Sequence, residues 1–168
     1  KDSNGCLFAL PNNIIINNIA GPTAIAVTKT DATCGNANAS ITLGTVTGGV
    51  APYTYNFNGA GYASTYAFSG KAAGSYTLVV KDSNGCTYNA PNITINNIAG
   101  PTGVTVTKTD ATCGNSNGTI TFSQIIGGTS PFSYVAYFNI SPINTFSNKA
   151  PGTYSLKVID ANQCEYIP

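Results

Sequence analysis

Histidine, arginine, methionine and tryptophan are absent from this sequence, and glutamate occurs once. Without histidine there is no imidazole for a catalytic triad, a histidine-held metal or acid–base work near neutrality. Without arginine, and at a net charge of +1, no basic patch can meet a phosphate backbone, so nucleic acid is excluded as a partner. Charged residues are only 8% of the 168, which suits one domain or two small ones. No apolar run approaches the ~18 residues of a membrane helix, so this segment is not expected to enter a membrane. The first residues lack the basic and apolar stretches of a signal peptide. Leucine is scarce while Thr, Val, Ile and Tyr are common, which favours strands over helices.

Asn, Thr, Ser and Gly fill the space, making up 73 of the residues, and 42% of the chain is hydrophobic. A disordered chain needs lower hydrophobicity and usually a larger net charge, so this one is expected to fold.

The order of residues is repetitive. Lys1–Cys6 (KDSNGC) returns as Lys81–Cys86, and Asp160–Cys164 (DANQC) is a third, altered copy. Ile16–Thr23 returns as Ile95–Thr102, and Thr28–Asn36 as Thr107–Asn115. The period is 78–80 residues, the size of a small β-sandwich and too long for an ankyrin or leucine-rich solenoid. Within each unit apolar residues alternate: Ile41/Leu43, Tyr53/Tyr55/Phe57 and Tyr76/Leu78/Val80, then Ile120/Phe122, Phe132/Tyr134 and Tyr154/Leu156/Val158. Period-two alternation marks half-buried antiparallel strands, and the Gly-Gly and Asn-Gly pairs between runs mark turns. The sequence therefore predicts an all-β chain of tandem antiparallel Ig-like β-sandwich modules of about 80 residues.

The phase predicts residues 1–19 as the closing β-hairpin of a preceding repeat, 20–98 as a complete repeat, and 99–168 as a second whose last strand is truncated. The last two strands of a unit are expected at Ser75–Lys81 and Cys86–Ile95, joined by a turn at Asn84-Gly85. Asn96–Thr102 lacks alternation and reads as the link between units. Tyr76 and Tyr154, just inside a strand after a glycine turn, suit either a tyrosine corner or a plain core position.

Five cysteines fall in two classes: Cys34 and Cys113 in ATCG, and Cys6, Cys86 and Cys164 after a hairpin turn. Paired modular cysteines in an exported chain point to disulfides. Pairing within a unit gives Cys34–Cys86 and Cys113–Cys164, with Cys6 bonded into a preceding repeat. An immunoglobulin-like topology instead separates first turn and last hairpin by roughly 25 Å, beyond disulfide reach. It would staple Cys34 to Cys164. Cys6–Cys34 and Cys86–Cys113 form a third scheme. Free buried thiols are the alternative to all three.

These motifs resemble the SprB-type repeats of gliding-motility adhesins from Bacteroidetes. ATCGNANASIT, GGVAPYTY and AAGSYTLVVKDSNGC carry the resemblance in the first unit; ATCGNSNGTIT, GGTSPFSY and PGTYSLKVIDANQC carry it in the second. Two departures stand out. These repeats usually carry Trp after the YTY segment, where Phe57 and Ala136 or Tyr137 stand here, and Gln163 replaces the turn glycine. The resemblance implies a very large filament at the cell surface, exported by the type IX system and moved along the cell to pull it over surfaces. Neighbouring repeats of the same filament are then the expected partners.

No nucleophile stands in a motif with a base, so no catalytic residue is expected. No metal or other cofactor is expected: there is no CxxC, and Asp82-Ser83-Asn84-Gly85 lacks the later Glu of a calcium loop. Lys29 and Lys108 recur as isopeptide candidates, but no Glu recurs with them, and they equally suit solvated residues guarding a strand edge. Of the aromatics clustered in the first unit, Tyr62 and Tyr66 are the candidates for ligand contact, for example with a surface polysaccharide. The region Tyr137–Ser147 differs most from its counterpart, and variable loops are where binding diverges. Three readings result: an extracellular adhesin filament, a carbohydrate-binding accessory module, and a donor-strand polymer in which residues 7–16 complete the next subunit's sheet.

Overall fold

The computed structural model describes residues 2–7 and 14–168. The expected closing hairpin in residues 1–19 and the donor segment at 7–16 fall partly outside these. Every regular element among the described residues is a strand. The first module holds β1 (Pro22–Lys29), β2 (Ala32–Thr33), β3 (Ala39–Gly48), β4 (Thr54–Phe57), β5 (Tyr62–Ala63), β6 (Ala67–Lys71), β7 (Gly74–Tyr76), β8 (Leu78–Lys81), β9 (Thr87–Asn89), β10 (Ile93–Ile95) and β11 (Asn97–Ile98). The second holds β12 (Pro101–Thr109), β13 (Gly118–Gly127), β14 (Ser133–Ala136), β15 (Asn139–Ser141), β16 (Thr145–Lys149), β17 (Leu156–Ile159) and β18 (Glu165–Tyr166).

Each module packs a three-stranded sheet on a four-stranded one. The orders are β1-β3-β6 on β5-β4-β8-β9, then β12-β13-β16 on β15-β14-β17-β18. Alternation decides the inward face. Ala39, Ile41 and Leu43 of β3 are buried while Thr42 faces out. They meet Phe57 of β4 and Leu78 of β8 across the sandwich, and Ile93 and Ile95 of β10 close the core. The second core joins Ile120, Phe122, Ala136, Phe146 and Val158. The cores exchange volume: Leu43 opposite Phe57 becomes Phe122 opposite Ala136, the large ring moving to the other sheet. Phe57 stacks on Phe68 at 4.0 Å, whereas Phe122 meets Phe146 edge-on at 6.0 Å. A volume-conserving exchange keeps a core filled, so the position following YTY tolerates Ala136.

The expected long strands are broken. Tyr76 and Leu78 lie on different sheets, and Cys86–Ile95 divides into β9, paired with β8, and β10, paired with β7. Pro91 has no N–H to give a ladder, so the chain crosses between sheets there. Tyr76 and Tyr154 donate their hydroxyls to the carbonyls of Ala72 and Ala150 at 2.9 and 2.8 Å, the geometry of a tyrosine corner. The link is also more ordered than a turn signal predicts, because β11 pairs in parallel with β2.

Candidate functional site: the inter-module junction

Two turns present the cysteines. In the hairpin turn, Asp82 Oδ1 accepts the N–H groups of Asn84 (3.0 Å) and Cys86 (2.8 Å), and Oδ2 accepts that of Val50 (3.1 Å). Asp160 repeats this with Asn162, Cys164 and Thr129. Both carboxylates are buried, at 4% and 2% exposure, and their oxygens are taken by N–H donors rather than left for a cation. The exposed Asp2 keeps the two local bonds, to Asn4 and Cys6. Gln163 does not open the third copy of the turn: its N–H still reaches the Asp160 carbonyl at 3.0 Å. It does so at a φ of 64°, where Gly85 stands at 85°, so the side chain costs strain rather than the turn itself.

In the ATCG turn, Asn36 N–H donates to the Thr33 carbonyl. The Asn38 amide accepts from Thr33 N–H and donates to its hydroxyl. Asn115, Thr112 and Asn117 build the same turn in the second module. Each cysteine sits at its tip with positive φ, 58° at Cys34 and 54° at Cys113. The local sequence therefore forms this presentation whether or not the cysteine is bonded.

The junction grows from the first module's turn. Ala32 N–H donates to the Asn96 carbonyl (2.9 Å), Cys34 N–H to the Ile98 carbonyl (3.0 Å), and Gly35 N–H to the Asn97 side chain (2.9 Å). Asn96 N–H donates in return to Asp31, which also pairs with Lys29. The Lys29 ammonium first, then the Asn96 N–H, hold the Asp31 carboxyl below the ordinary carboxylate range. The link then runs into the second module past Gly100. A Cβ there would stand 2.4 Å from the Cβ of Cys164, so only glycine fits. Cys164 in turn is bonded to Cys34, with Cα atoms 5.2 Å apart.

Cys6, Cys86 and Cys113 are free. The pairing within a unit, Cys34–Cys86 and Cys113–Cys164, is therefore corrected. Gly21, just before β1, lies against Cys86, whereas Cys34 follows the far end of that strand. Eight strand residues span about 26 Å, far outside disulfide reach. Cys34–Cys164 joins the first turn of one module to the last hairpin of the next.

Tyr62 and Tyr66 lie outside this junction and are 45% and 61% exposed. The Lys81 ammonium sits 5.1 Å from the Tyr62 ring centre. In the divergent region of the second module, Tyr137 and Phe138 are also exposed, with rings 4.2 Å apart. Lys29 and Lys108 pair with Asp31 and Asp110 on edge strands, an arrangement for solvated ions rather than a buried isopeptide bond. Among the described residues no three Cys, Asp or Glu gather as a metal site. Sequence reasoning missed the link residues Asn96, Asn97 and Ile98, although the unchanged recurrence of INNIAGPT and TKTDATCGN was a usable signal.

Fold and junction together define a tandem β-sandwich array in which successive modules are cross-linked. Residues 26–61 match the model of the SprB repeat family. This stretch of the first module is thus similar to a SprB-type repeat, a module of cell-surface proteins. A two-domain fibronectin type III segment from chicken tenascin aligns over 89% of this chain and 99% of its own, at 17% identity and a TM-score of 0.29, too low to support an argument. No curated protein matches the chain. Among the described residues no helix is long and apolar enough to cross a membrane.

Proposed function

We propose that this chain is a structural section of an extracellular adhesin filament on a gliding cell exported by the type IX system, with neighbouring repeats as its partners. The observation that carries this reading is the covalent junction. A disulfide between adjacent modules, beside a hydrogen-bonded link strand, is a device for holding modules in line under tension. It also suits an oxidising, extracellular setting. The bond spans 130 residues of sequence, about 450 Å of extended chain at ~3.5 Å per residue. Pulled from its two ends on a force spectrometer, the chain should lengthen by ~450 Å more in reductant than in oxidant. Equal extension in the two conditions would overturn this reading.

The exposure of Tyr62 and Tyr66 supports a second reading, a carbohydrate-binding accessory module. A polysaccharide array probed with the whole chain separates the two. Saturable binding lost in Tyr62→Ala or Tyr66→Ala would favour the second.

A further inference from the structure

Asn-Gly occurs four times in this chain, at Asn4-Gly5, Asn58-Gly59, Asn84-Gly85 and Asn117-Gly118. The pair has a chemistry of its own. The glycine nitrogen can attack the asparagine amide carbon, because no Cβ hinders its approach. The attack needs an asparagine amide and a glycine N–H that hydrogen bonds do not hold. The fold treats the four pairs differently.

Three are locked. Gly5 N–H donates to the Asp2 carbonyl (3.0 Å) and Gly85 N–H to that of Asp82 (3.1 Å). The N–H groups of Asn4 and Asn84 donate at 3.0 Å to Oδ1 of the same aspartates. In the third pair the amide is held instead. Asn117 Oδ1 accepts from Thr112 N–H and Nδ2 donates to Thr112 Oγ1, both at 2.8 Å. Gly118 beside it is buried at the start of β13.

Asn58-Gly59 is held by neither device. It forms the exposed turn after β4. Asn58 N–H donates to the Thr77 carbonyl (2.9 Å) and Ala60 N–H to the Phe57 carbonyl (3.1 Å). These bonds tie down the turn on either side and leave the reacting atoms alone. The Asn58 amide and the Gly59 N–H meet no partner among the described residues. A Cβ on Gly59 would have nothing within 4 Å. The turn is this open with the second module in place, and the bonds around it come from within the first module.

We propose that Asn58 is a site of intramolecular deamidation, a modification by water from which the fold protects the other three Asn-Gly pairs. The Gly59 nitrogen bonds to Asn58 Cγ and loses its proton. The Cγ–Nδ2 bond breaks, and Nδ2 leaves with that proton as ammonia. Water then opens the resulting cyclic imide. Cleaving the new Cγ–N bond leaves aspartate. Cleaving the original peptide C–N bond leaves isoaspartate, whose backbone runs through Cγ. Either product adds a carboxylate, ionised at neutral pH, to a chain that carries only six. The turn joins β4 to β5, where Tyr62 stands opposite Asn56. The modification therefore alters the surface around Tyr62.

The test incubates the whole chain at mildly alkaline pH, where the peptide nitrogen gives up its proton more readily. Peptides are mapped by mass spectrometry over time. A second sample stands in urea with reductant, where all four turns are open. The folded chain is expected to convert Asn58 at least about ten times faster than Asn4, Asn84 or Asn117. In urea the four rates converge. Isoaspartyl methyltransferase labels the folded product at position 58. Asn58→Gln, whose longer side chain closes a ring far more slowly, keeps a single band on isoelectric focusing over the same time. Equal rates at the four pairs in the folded chain overturn the proposal. So does an Asn58 that stays intact while the unfolded sample converts. So do rates in urea that keep the folded ranking and ratios, because the sequence and not the fold would then decide.

Discussion

Replacing the hairpin aspartates with alanine tests the turn that positions the cysteines, and the sequence supplies its own control. Asp82 and Asp160 each accept three backbone N–H groups and are almost wholly buried. Alanine leaves all three donors without a partner. A buried donor left unpaired costs about 1–3 kcal/mol, and two of the three lie where water can partly replace the oxygen. We expect Asp82→Ala and Asp160→Ala each to destabilise by about 3–5 kcal/mol, a large share of the ~5–15 kcal/mol of a typical domain. Asp2 makes the same two local bonds in a fully exposed turn, so Asp2→Ala should stay within about 0.5 kcal/mol of the parent. Asparagine at position 82 keeps one acceptor and turns an amide N–H toward Val50 N–H, so an intermediate loss of about 2 kcal/mol is expected. Urea unfolding followed by far-ultraviolet circular dichroism measures these differences. At a slope near 2 kcal/mol per molar, the alanine variants should lower the midpoint by about 2 M. If Asp82→Ala unfolds within about 1 kcal/mol of Asp2→Ala, the buried carboxylate is not what secures the turn and the argument fails.

Three further outcomes follow from the junction. Gln163→Gly should stabilise the second module by about 1 kcal/mol in the same urea assay, by removing a side chain from a left-handed φ, and a loss would refute the strain. Gly100→Ala should open the cross-link and raise the titratable thiols from three to five, whereas Gly21→Ala, beside the unbonded Cys86, should leave the count at three. Asp31 is depressed in the folded state, so its contribution is complete above the ordinary carboxylate pKa near 4 and is lost as pH falls through the lower folded value. A carboxyl NMR titration should place its midpoint below the ordinary value, and Asp31→Asn should abolish the acid-sensitive part of the junction's stability.

Much of the fold could be read from the sequence because burial imposes period two on strands. Ile41, Leu43, Phe57 and Leu78 alternate with polar residues and are core in the structure. The 78–80-residue offsets have the same cause, since equivalent positions carry equivalent pairing, β1-β3-β6 in one half and β12-β13-β16 in the other. What escaped was non-local. Nothing in Tyr76-Thr77-Leu78 signals that the chain changes sheets at Thr77. The link around Asn96–Ile98 gains its strand character from a partner, β2, more than 60 residues away. The cysteine pairing was open because three schemes satisfied the spacing, and only the direction of β1 separates the two poles of a module. The exchange of Leu43 and Phe57 for Phe122 and Ala136 was equally invisible, because it conserves the volume of a space shared by two sheets.

The repeat in the sequence is not the same object as the unit of stability. Read by alternation, the last strand of a module ends at Ile95, and Asn96–Thr102 is only a link. In the structure the start of that link completes the module before it: Asn96 caps Asp31, and Ile98 accepts from Cys34. Only after Gly100 does the chain serve the module that follows. The first turn of one module is therefore ordered by residues leading to the next, and the bond to Cys164 makes that dependence covalent. Nearest-neighbour coupling of this kind makes a chain of modules more cooperative than its parts, because Ala32 and Ile95 of the first core adjoin the link that leads to the next module. It also bears on the scarcity of charge. Natural edge strands are guarded by charges, and here β1 and β12 carry one lysine each, paired with an aspartate two residues on. A neutral surface with so few guards stays monodisperse only if its open edges are met by the right strand, and in the first module that strand is supplied by the link itself.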